Sequence, residues 1–400
     1  MEVFNPKKVE KAEIIVGIPS YNEVRTIGFV TEQVAKGLVE YFPDKKSVII
    51  NVDNNSPDGT REAFLRAKSN IPLVYASSSP GEKGKGFNFY NLFSLFKELE
   101  AKTGLVVDAD LKSIRPTWVK KMIDPVESGY GYIAPFYNRK KDDATITNNI
   151  VYPLLYGLLG INIRQPIGGE FSFSEKLVSL WMEKEWVDTT YQFGIDVFMS
   201  LNAVLSGEKL GQVDLGRKVH KPSTPNLGPM FIQVVKTMFK SLKGNLDKIR
   251  KVKKVREIPI IGGKKIIEIP NSIPAYDNFK RLFKEEFDLN KKTFEKYLSG
   301  DKLKKIEENN DFKIDSEMWA EIMYDFLCYF NSENETDLLE ALRCLYFGRV
   351  ASYLSEVAYL SPSDSEKKVI TQANKFFENR GYFLEKEKND YFLNKGWSPF

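Results

Sequence analysis

The stretch that decides the fold is Gly104-Leu-Val-Val-Asp-Ala-Asp110, in which an apolar run ends on two carboxylates one residue apart. The run predicts a buried strand whose carboxyl end carries both side chains, and open α/β sheets bind their ligands at that end. Two hard oxygen donors suit Mg²⁺ or Mn²⁺, although Asp is also common in solvated turns. The motif alone leaves a metal site and an ordinary turn both open.

Three more apolar runs lie before this stretch, and segments with helical spacing separate them. The strand candidates are Glu13–Ile18, Ser47–Val52 and Leu73–Ala76, and the helix candidates are Thr26–Tyr41, Thr60–Lys68 and Phe87–Ala101. Such alternation is typical of a parallel sheet with crossover helices. The sequence therefore predicts an α/β fold with a Rossmann-like, doubly wound, mostly parallel sheet.

Polar clusters follow the predicted strands. Pro19-Ser-Tyr-Asn-Glu23 comes after the first strand and Asp53 after the second, and Lys83-Gly-Lys-Gly86 precedes a helix, where bare amides would favour anions. Each cluster alone could be a turn or a helix cap. Together with Asp108 and Asp110 they predict one rim that forms a nucleotide-diphosphate cleft with a bound cation.

The second part of the chain has a different character. From Asn226 onward, long amphipathic stretches rich in Lys and Glu predict helices, and a basic connector runs from about residue 250 to 272. We expect a catalytic domain over residues 1–225 and a mainly helical domain over residues 226–400. Its helices could cover the first domain or mediate a homodimer.

Composition narrows the function classes. The chain has 400 residues, 42% of them hydrophobic, and a net charge of +4, which gives no reason to expect a nucleic-acid partner. Two cysteines exclude a disulfide scaffold and favour a reducing compartment. The longest apolar stretch, Ile150–Ile161, has about twelve residues, whereas a membrane span needs roughly twenty. With no signal-peptide pattern in Met1–Lys11, we expect a soluble, cytoplasmic protein.

Four further segments carry polar side chains that suit a site, and each has a plainer interpretation. The paired glycines of Gln165-Pro-Ile-Gly-Gly-Glu170 allow close approach to a ligand or form a simple turn. Asp196 lies near a helix start, where a carboxylate is often structural. The run from Arg139 to Thr147 suits an anionic acceptor or a solvated loop. The sole histidine, His220, could join Asp110 around a metal or be an ordinary hydrogen-bonded residue.

In this order the motifs resemble those of retaining GT-A glycosyltransferases, specifically the glucosyl-3-phosphoglycerate and mannosylglycerate synthases. The resemblance spans roughly residues 12–240, and its most specific parts are Gln165–Glu170 and Val213-Asp-Leu-Gly216 with His220. It implies a GT-A fold followed by a smaller helical domain. Phosphoglycerate-using members often carry Asn two residues after the histidine, whereas this chain has Pro222.

The resemblance also implies roles for individual residues. The donor sugar nucleotide would contact Pro19, Ser20, Asn22, Glu23, Asp53, Lys85, Asp108, Ala109 and Gly169; the cation would bind Asp110 and His220; the catalytic residues would be Asp196, Glu170 and Asp110; and the acceptor would contact Arg139, Asp143, Thr147, Gly168 and Lys221. A phosphate on the acceptor could be met by Lys140, Lys141, Arg217 or Lys221. Asp196 is the nominated carboxylate if a base is needed.

The implied reaction is transfer of glucose from an NDP-glucose, with UDP-glucose expected, to the 2-hydroxyl of 3-phosphoglycerate with retention. The alternative is a mannosylglycerate or glucosylglycerate synthase that uses GDP-mannose or another sugar nucleotide and D-glycerate. A catalytically silent binding protein and a nucleotidyltransferase are the remaining alternatives. The latter usually has a Gly-rich basic loop after the first strand, and Pro19–Glu23 is not one.

Overall fold

The computed structural model describes residues 1–221, 227–264, 276–308 and 313–394. Spatial contacts divide the chain into two compact units. Unit 1 comprises Met1–Asn138, Arg164–Thr237 and Ile258–Ile267, and unit 2 comprises Arg139–Ile163, Met238–Glu257 and Glu268–Phe400. A single domain boundary near residue 226 stays a prediction, and Pro222 lies outside the described residues.

Unit 1 is built on a nine-stranded sheet with helices between the strands. The strands are β1 (Glu2–Phe4), β2 (Ile14–Ser20), β3 (Ser47–Asp53), β4 (Leu73–Ser77), β5 (Thr103–Val106), β6 (Tyr132–Asn138), β8 (Phe171–Ser174), β9 (Leu210–Arg217) and β11 (Ile260–Ile261), in the order β1-β4-β3-β2-β5-β8-β6-β9-β11. The helices are α1 (Ile27–Tyr41), α2 (Thr60–Leu65), α3 (Lys85–Glu98), α4 (Pro116–Glu127), α6 (Glu175–Glu183) and α7 (Ile195–Ser206).

The sheet is mostly parallel, and this places several strand ends at one edge. Parallel pairing joins β2 to β3 and β5, β3 to β4, and β9 to β6 and β11. The register sets Ser20 opposite Asp53, and Asp53 opposite Ser77, at the carboxyl ends of three strands. All residues of β2 and β3 are buried, which explains why these strands read as continuous apolar runs.

One strand of the centre, β8, runs against its neighbours. It is antiparallel to both β5 and β6, with Phe171 paired to Val106. An antiparallel strand begins at the edge where its parallel neighbours end. The residues just before β8, including Glu170, therefore lie at the same edge as the residues that follow β5.

The start of α3 is closed by the chain segment that precedes α7. The amides of Gly86 and Phe87 donate to the carbonyls of Gln192 and Tyr191, both at 3.1 Å. The expectation of bare amides at this helix start is therefore wrong, because another part of the chain already accepts their hydrogen bonds. What the start of α3 does present is the side chain of Lys85.

Unit 2 is mainly helical. It contains a π-helical turn (Thr147–Val151), α5 (Tyr152–Leu159), α9 (Leu246–Lys251), α10 (Asp277–Tyr297), α11 (Gly300–Glu308), α12 (Ser316–Tyr329), α13 (Glu335–Val357), α14 (Pro362–Glu378) and α15 (Arg380–Asn394), with a parallel pair of β7 (Ile161–Asn162) and β10 (Arg256–Glu257). A further helix, α8 (Leu227–Lys243), begins in unit 1 and ends in unit 2. The core of unit 2 includes the fully buried Trp319, Tyr324 and Tyr346.

The predicted fold class is confirmed: a mostly parallel α/β sheet with a helical C-terminal region. The differences are local. The helix expected over Thr60–Lys68 ends at Leu65, and within the described part of the connector the extended pieces are two residues long. Short elements such as these carry too little periodicity for a sequence pattern to fix their ends.

Replacing Gly86 by Ala should destabilise unit 1. A Cβ atom at this position would lie 1.9 Å from the carbonyl oxygen of Thr190, and backbone cannot yield as a flexible side chain can. We expect a loss of about 1–3 kcal/mol in the free energy of unfolding, measured by urea denaturation. The matched control is Gly28→Ala in α1, where the nearest atom is 3.4 Å away. Equal stability of the two variants would contradict the proposed tight contact at the start of α3.

Candidate active site

A cluster of five charged side chains occupies the edge where the strands of unit 1 end. It joins Lys85 at the start of α3, Asp108 after β5, Glu170 before β8, Asp196 at the start of α7 and Lys218 after β9. The sequence predicts four of these five as site residues, and the structure brings those four together.

Lys218 lies at the centre of the cluster. Its ammonium group is 2.9 Å from Asp108 Oδ2, 3.0 Å from each oxygen of Glu170 and 2.8 Å from the Gly168 carbonyl oxygen. The neighbouring Gly169 has a φ of +97°, and a Cβ atom there would lie 2.3 Å from Asp108 Oδ2. The paired glycines thus allow the backbone to pass close to this ion-pair network, which is the close-approach interpretation of the motif.

Lys85 connects the other two carboxylates. Its ammonium group is 2.9 Å from Asp196 Oδ2 and 3.3 Å from Asp108 Oδ1. Within the part of the chain that the structure describes, the second oxygen of Asp196 is buried and has no hydrogen-bond partner. Asp108 is consequently shared between two lysines, whereas Asp196 keeps one acceptor unused.

Burial and charge shift the pKa values of the acids in opposite directions. Burial raises the pKa of Glu170 to about 7, and the nearby Asp108 charge adds to this effect while Lys218 opposes it. Burial also raises the pKa of Asp196, against the attraction of Lys85. For Asp108, burial opposes ionisation, but the charges of Lys218 and Lys85 outweigh it and lower the pKa. Ionised Asp108 beside a carboxyl that titrates near neutrality is an arrangement found at functional sites.

Asp53 and Ser20 form a fully buried hydrogen-bonded pair beside this cluster. Asp53 accepts from Ser20 Oγ at 2.5 Å, Ser56 N and Oγ at 2.7 Å each, and Tyr75 Oη at 3.1 Å. Ser20 Oγ in turn accepts from Asn51 at 2.8 Å. These contacts brace the ends of β2, β3 and β4, and the predicted donor contacts of Ser20 and Asp53 stay predictions. Pro19 is buried within β2, and Ala109 is buried after β5.

The loop after β2 is tied to the loop after β9. Asn22 takes a φ of +58°, and its amide donates to Ser56 Oγ at 2.8 Å. The Lys221 ammonium lies 2.6 Å from Glu23 Oε2 and 3.2 Å from the Asn22 carbonyl oxygen. Burial raises the pKa of Glu23, partly against the attraction of Lys221. Lys221, which is predicted to contact the acceptor substrate, therefore binds two residues that are predicted to contact the donor sugar nucleotide.

Asp110 lies against the loop that carries His220. The Lys221 amide donates to Asp110 Oδ2 at 2.9 Å, and the Lys112 amide donates to the Val219 carbonyl at 2.8 Å. In the described ranges, no three His, Cys, Asp or Glu side chains are grouped to hold a metal. Asp110 and His220 thus offer one carboxylate and one imidazole on adjoining loops. This set fits a cation that takes further ligands from a bound anion, as Mg²⁺ does, rather than one held by protein alone.

The predicted acceptor segment belongs to unit 2. Arg139 forms an ion pair with Asp143 at 2.9 Å, and Thr147 is buried at the start of the π-helical turn. Helices α12 and α14 hold this turn, since Trp319 donates to the Asn149 carbonyl and Gln372 to the Asn148 carbonyl. Lys141 is buried and donates to the Ala358 carbonyl at 3.0 Å, an interaction internal to unit 2.

Comparison with known proteins finds a family that is similar to part of unit 1. Residues 15–179, which include most of β2, all of β3 to β5 and the Asp108 and Glu170 positions, match the family model for glycosyl transferase family 2. Over this stretch the chain is similar to glycosyl transferase family 2.

One curated relative is similar to part of the chain. The mannosylglycerate synthase of Rhodothermus marinus is 25% identical over 193 residues, which are 47% of this chain and 45% of the relative. The chain thus spans less than half the length of that relative.

Solved structures of glucosyl-3-phosphoglycerate synthase from Mycobacterium tuberculosis are also similar. One, in complex with Mn²⁺, uridine diphosphate and phosphoglyceric acid, is 22% identical, with a TM-score of 0.48 over 57% of this chain and 78% of the other. Another, with Mg²⁺ and uridine diphosphate, has the same identity and TM-score.

No helix among the described residues of the present chain is both long and apolar enough to cross a bilayer.

Two residues of the candidate site, Lys218 and Tyr137, are not predicted from the sequence. Tyr137 donates its hydroxyl to Glu170 Oε2 at 2.5 Å, but within an apolar strand it looks like any core aromatic residue. Lys218 stands two residues before His220 in Gly216-Arg-Lys-Val-His-Lys221, so its nearness to a predicted ligand was the available signal.

The raised pKa of Glu170 predicts a pH-dependent stability that Glu170→Gln removes. Between its ordinary value of 4.5 and about 7, this carboxyl holds a proton in the folded but not the unfolded state, so its contribution lowers the free energy of unfolding as pH rises through that window. Urea denaturation at pH 5 and pH 8 should show a decline in the wild type that the variant lacks. Glu175→Gln, on an exposed surface pair, is the matched control. Parallel pH dependence of wild type and Glu170→Gln would contradict the assignment.

Proposed function

We propose that the protein is a metal-dependent, retaining hexosyltransferase that transfers glucose from an NDP-glucose, with UDP-glucose expected, to the 2-hydroxyl of 3-phosphoglycerate. The observation that carries the proposal is the hydrogen bond from the Lys221 amide to Asp110, which joins the His220 loop to the two-carboxylate motif. This contact between the loops that carry the two predicted cation ligands supports the proposal, together with the match of residues 15–179 to the glycosyl transferase family 2 model. The named relatives transfer sugars to, or bind, glycerate-type acceptors.

On the donor side of the reaction, the protein must stabilise a diphosphate leaving group that gains negative charge. Asp110 and His220 would hold a divalent cation, which when bound supplies Lewis-acid stabilisation of that charge. Lys85 would turn from Asp108 and Asp196 towards the diphosphate, because it is the cation of the cluster that lies at the start of a helix. The carboxylates left behind would face the positive charge that develops on the sugar ring, with their positions fixed before the reaction.

The acceptor side would use the segment that follows β6. Arg139 offers a guanidinium group for the carboxylate of a glycerate, and Asp143 and Thr147 would bind its hydroxyls, as the resemblance implies. Lys140, Arg217 and Lys221 remain the predicted contacts for a phosphate, since Lys141 already binds the Ala358 carbonyl. If a base is needed, Asp196 is the nominated carboxylate, and its raised pKa and its one oxygen without a partner among the described residues support that choice.

A second candidate is mannosylglycerate or glucosylglycerate synthesis with D-glycerate as the acceptor. The 25% identity to a mannosylglycerate synthase favours it, as does Pro222, where phosphoglycerate-using members often carry Asn. Both candidates share the metal, the retaining outcome and the donor cleft. A cytoplasmic location and a homodimer stay predictions under either one.

A matrix of donors and acceptors tests the proposal. Purified protein would be incubated with UDP-glucose, GDP-glucose or GDP-mannose and with 3-phosphoglycerate or D-glycerate, in Mg²⁺, Mn²⁺ or excess chelator. We expect an α-linked product, identified by NMR, from UDP-glucose and 3-phosphoglycerate, and none with chelator. Product only from D-glycerate would favour the second candidate. No transfer in any combination would contradict both.

Asp110→Asn should abolish transfer while leaving the fold intact. The substitution keeps the shape of the side chain and removes the charge that would bind the cation, so we expect a loss of about 100-fold or more in kcat/KM together with loss of metal-dependent UDP binding. Calorimetric titration with UDP and Mn²⁺ and steady-state kinetics measure these effects. The control is Asp124→Asn, an exposed carboxylate paired with Lys120 on α4. Wild-type activity in Asp110→Asn would remove the metal argument.

A further inference from the structure

The exposure of the side chains increases along a series of hydrogen bonds within the charge cluster. Tyr137 donates to Glu170, Glu170 accepts from Lys218, and Lys218 donates to Asp108. The side chains are 1% exposed for Glu170, 3% for Lys218 and 23% for Asp108. Only the last member of this chain therefore has surface that a bound molecule could contact without a rearrangement.

The inner members are also saturated with contacts to the protein. Glu170 receives Lys218 on both oxygens and Tyr137 on one of them. The three donors of an ammonium group are matched in Lys218 by Asp108, Glu170 and the Gly168 carbonyl. Because Glu170 is only 1% exposed, a sugar hydroxyl could reach it only if the surrounding protein groups moved.

We infer that Glu170 and Lys218 are positioning residues that fix the carboxylate of Asp108, and that Asp108 rather than Glu170 faces the donor. This inference rests on the proposed function and reassigns Glu170, for which the resemblance implies direct contact with the donor sugar. Lys218 holds Asp108 Oδ2 from the buried side while Lys85 approaches Oδ1. When Lys85 turns to the diphosphate, Lys218 is what keeps Asp108 in place.

A merely structural role for Lys218 makes a different prediction. Removing Lys218 alone would leave Glu170 as a buried acid without its cation, and the protein would lose stability whatever Lys218 does in transfer. At pH 8, where Glu170 is ionised, the double variant Lys218→Met/Glu170→Gln removes one positive and one negative charge together. If Lys218 only neutralises Glu170, the double variant recovers both stability and activity. If it positions Asp108, stability recovers and activity does not.

The experiment compares wild type, Lys218→Met, Glu170→Gln and the double variant by thermal unfolding and by kinetics with the active donor–acceptor pair. For the double variant we expect a Tm near that of wild type, a kcat lower by about 100-fold and a smaller change in the KM of the donor. The matched control is Lys102→Met/Glu175→Gln, which removes an exposed pair of the same chemistry and should behave as wild type.

Each outcome bears on one claim. A wild type that transfers no sugar overturns the proposed function and this inference with it. An active wild type with full kcat in the double variant overturns the inference alone. If the double variant does not fold, Lys218→Arg decides: it keeps the charge but moves the donors, so we expect kcat to fall about 10-fold, and an unchanged kcat would again overturn the inference.

Discussion

Pairing of buried charge is the constraint on which the edge of this sheet depends. Three carboxylates and two lysines meet where water is largely excluded, and an isolated ion there would be strongly unfavourable. Lys218 pairs much of this buried charge because it binds Asp108, Glu170 and a backbone carbonyl at once. One acid remains in excess over the lysines, and the pKa of Glu170, which burial raises to about 7, favours protonation of this carboxyl below that pH. The cluster is thus close to neutral without a ligand and leaves its more open members, Lys85 and Asp108, able to respond to one.

The topology of the sheet explains why these residues meet. Parallel pairing aligns β2, β3, β4 and β5 in one group and β6, β9 and β11 in another. The two groups run in the same direction because β8 is antiparallel to both β5 and β6, so the carboxyl ends of these strands lie at one edge. The reversed strand β8 then adds its beginning to that edge, because its first residue pairs with the last residue of β5. Without this reversal Glu170 would lie at the opposite edge, away from Asp108. A turn of two glycines before β8 is needed for the same reason, since a side chain at Gly169 would collide with the Asp108 carboxylate.

Sequence patterns predict the parts of this arrangement that repeat regularly. The strands β2 and β3 could be predicted because burial on both faces gives them continuous apolar runs. The carboxylates after β5 could be placed at the sheet edge because they directly follow such a run. The antiparallel course of β8 has no such signal, because a four-residue strand reads alike in either direction. Lys218 resembles a solvated lysine in a basic run, and only its three partners, distant in sequence, reveal it as buried. The amides at the start of α3 look free for the same reason, since their acceptors lie more than a hundred residues away.

The two loops around Asp110 show how few groups of the chain itself would serve a cation. Asp110 and His220 lie on adjoining loops. The Lys221 amide donates to Asp110, and the Lys221 ammonium donates to Glu23. Because two protein ligands fall short of the six that Mg²⁺ prefers, a cation there would depend on oxygens from a bound diphosphate. Binding of the ion and of the nucleotide would then be mutually reinforcing, since each completes the other's set of contacts. The contact from Lys221 to Glu23 would also set the position of the loop after β2, so that a single residue, Lys221, links the predicted donor contacts of that loop to the predicted cation ligand Asp110.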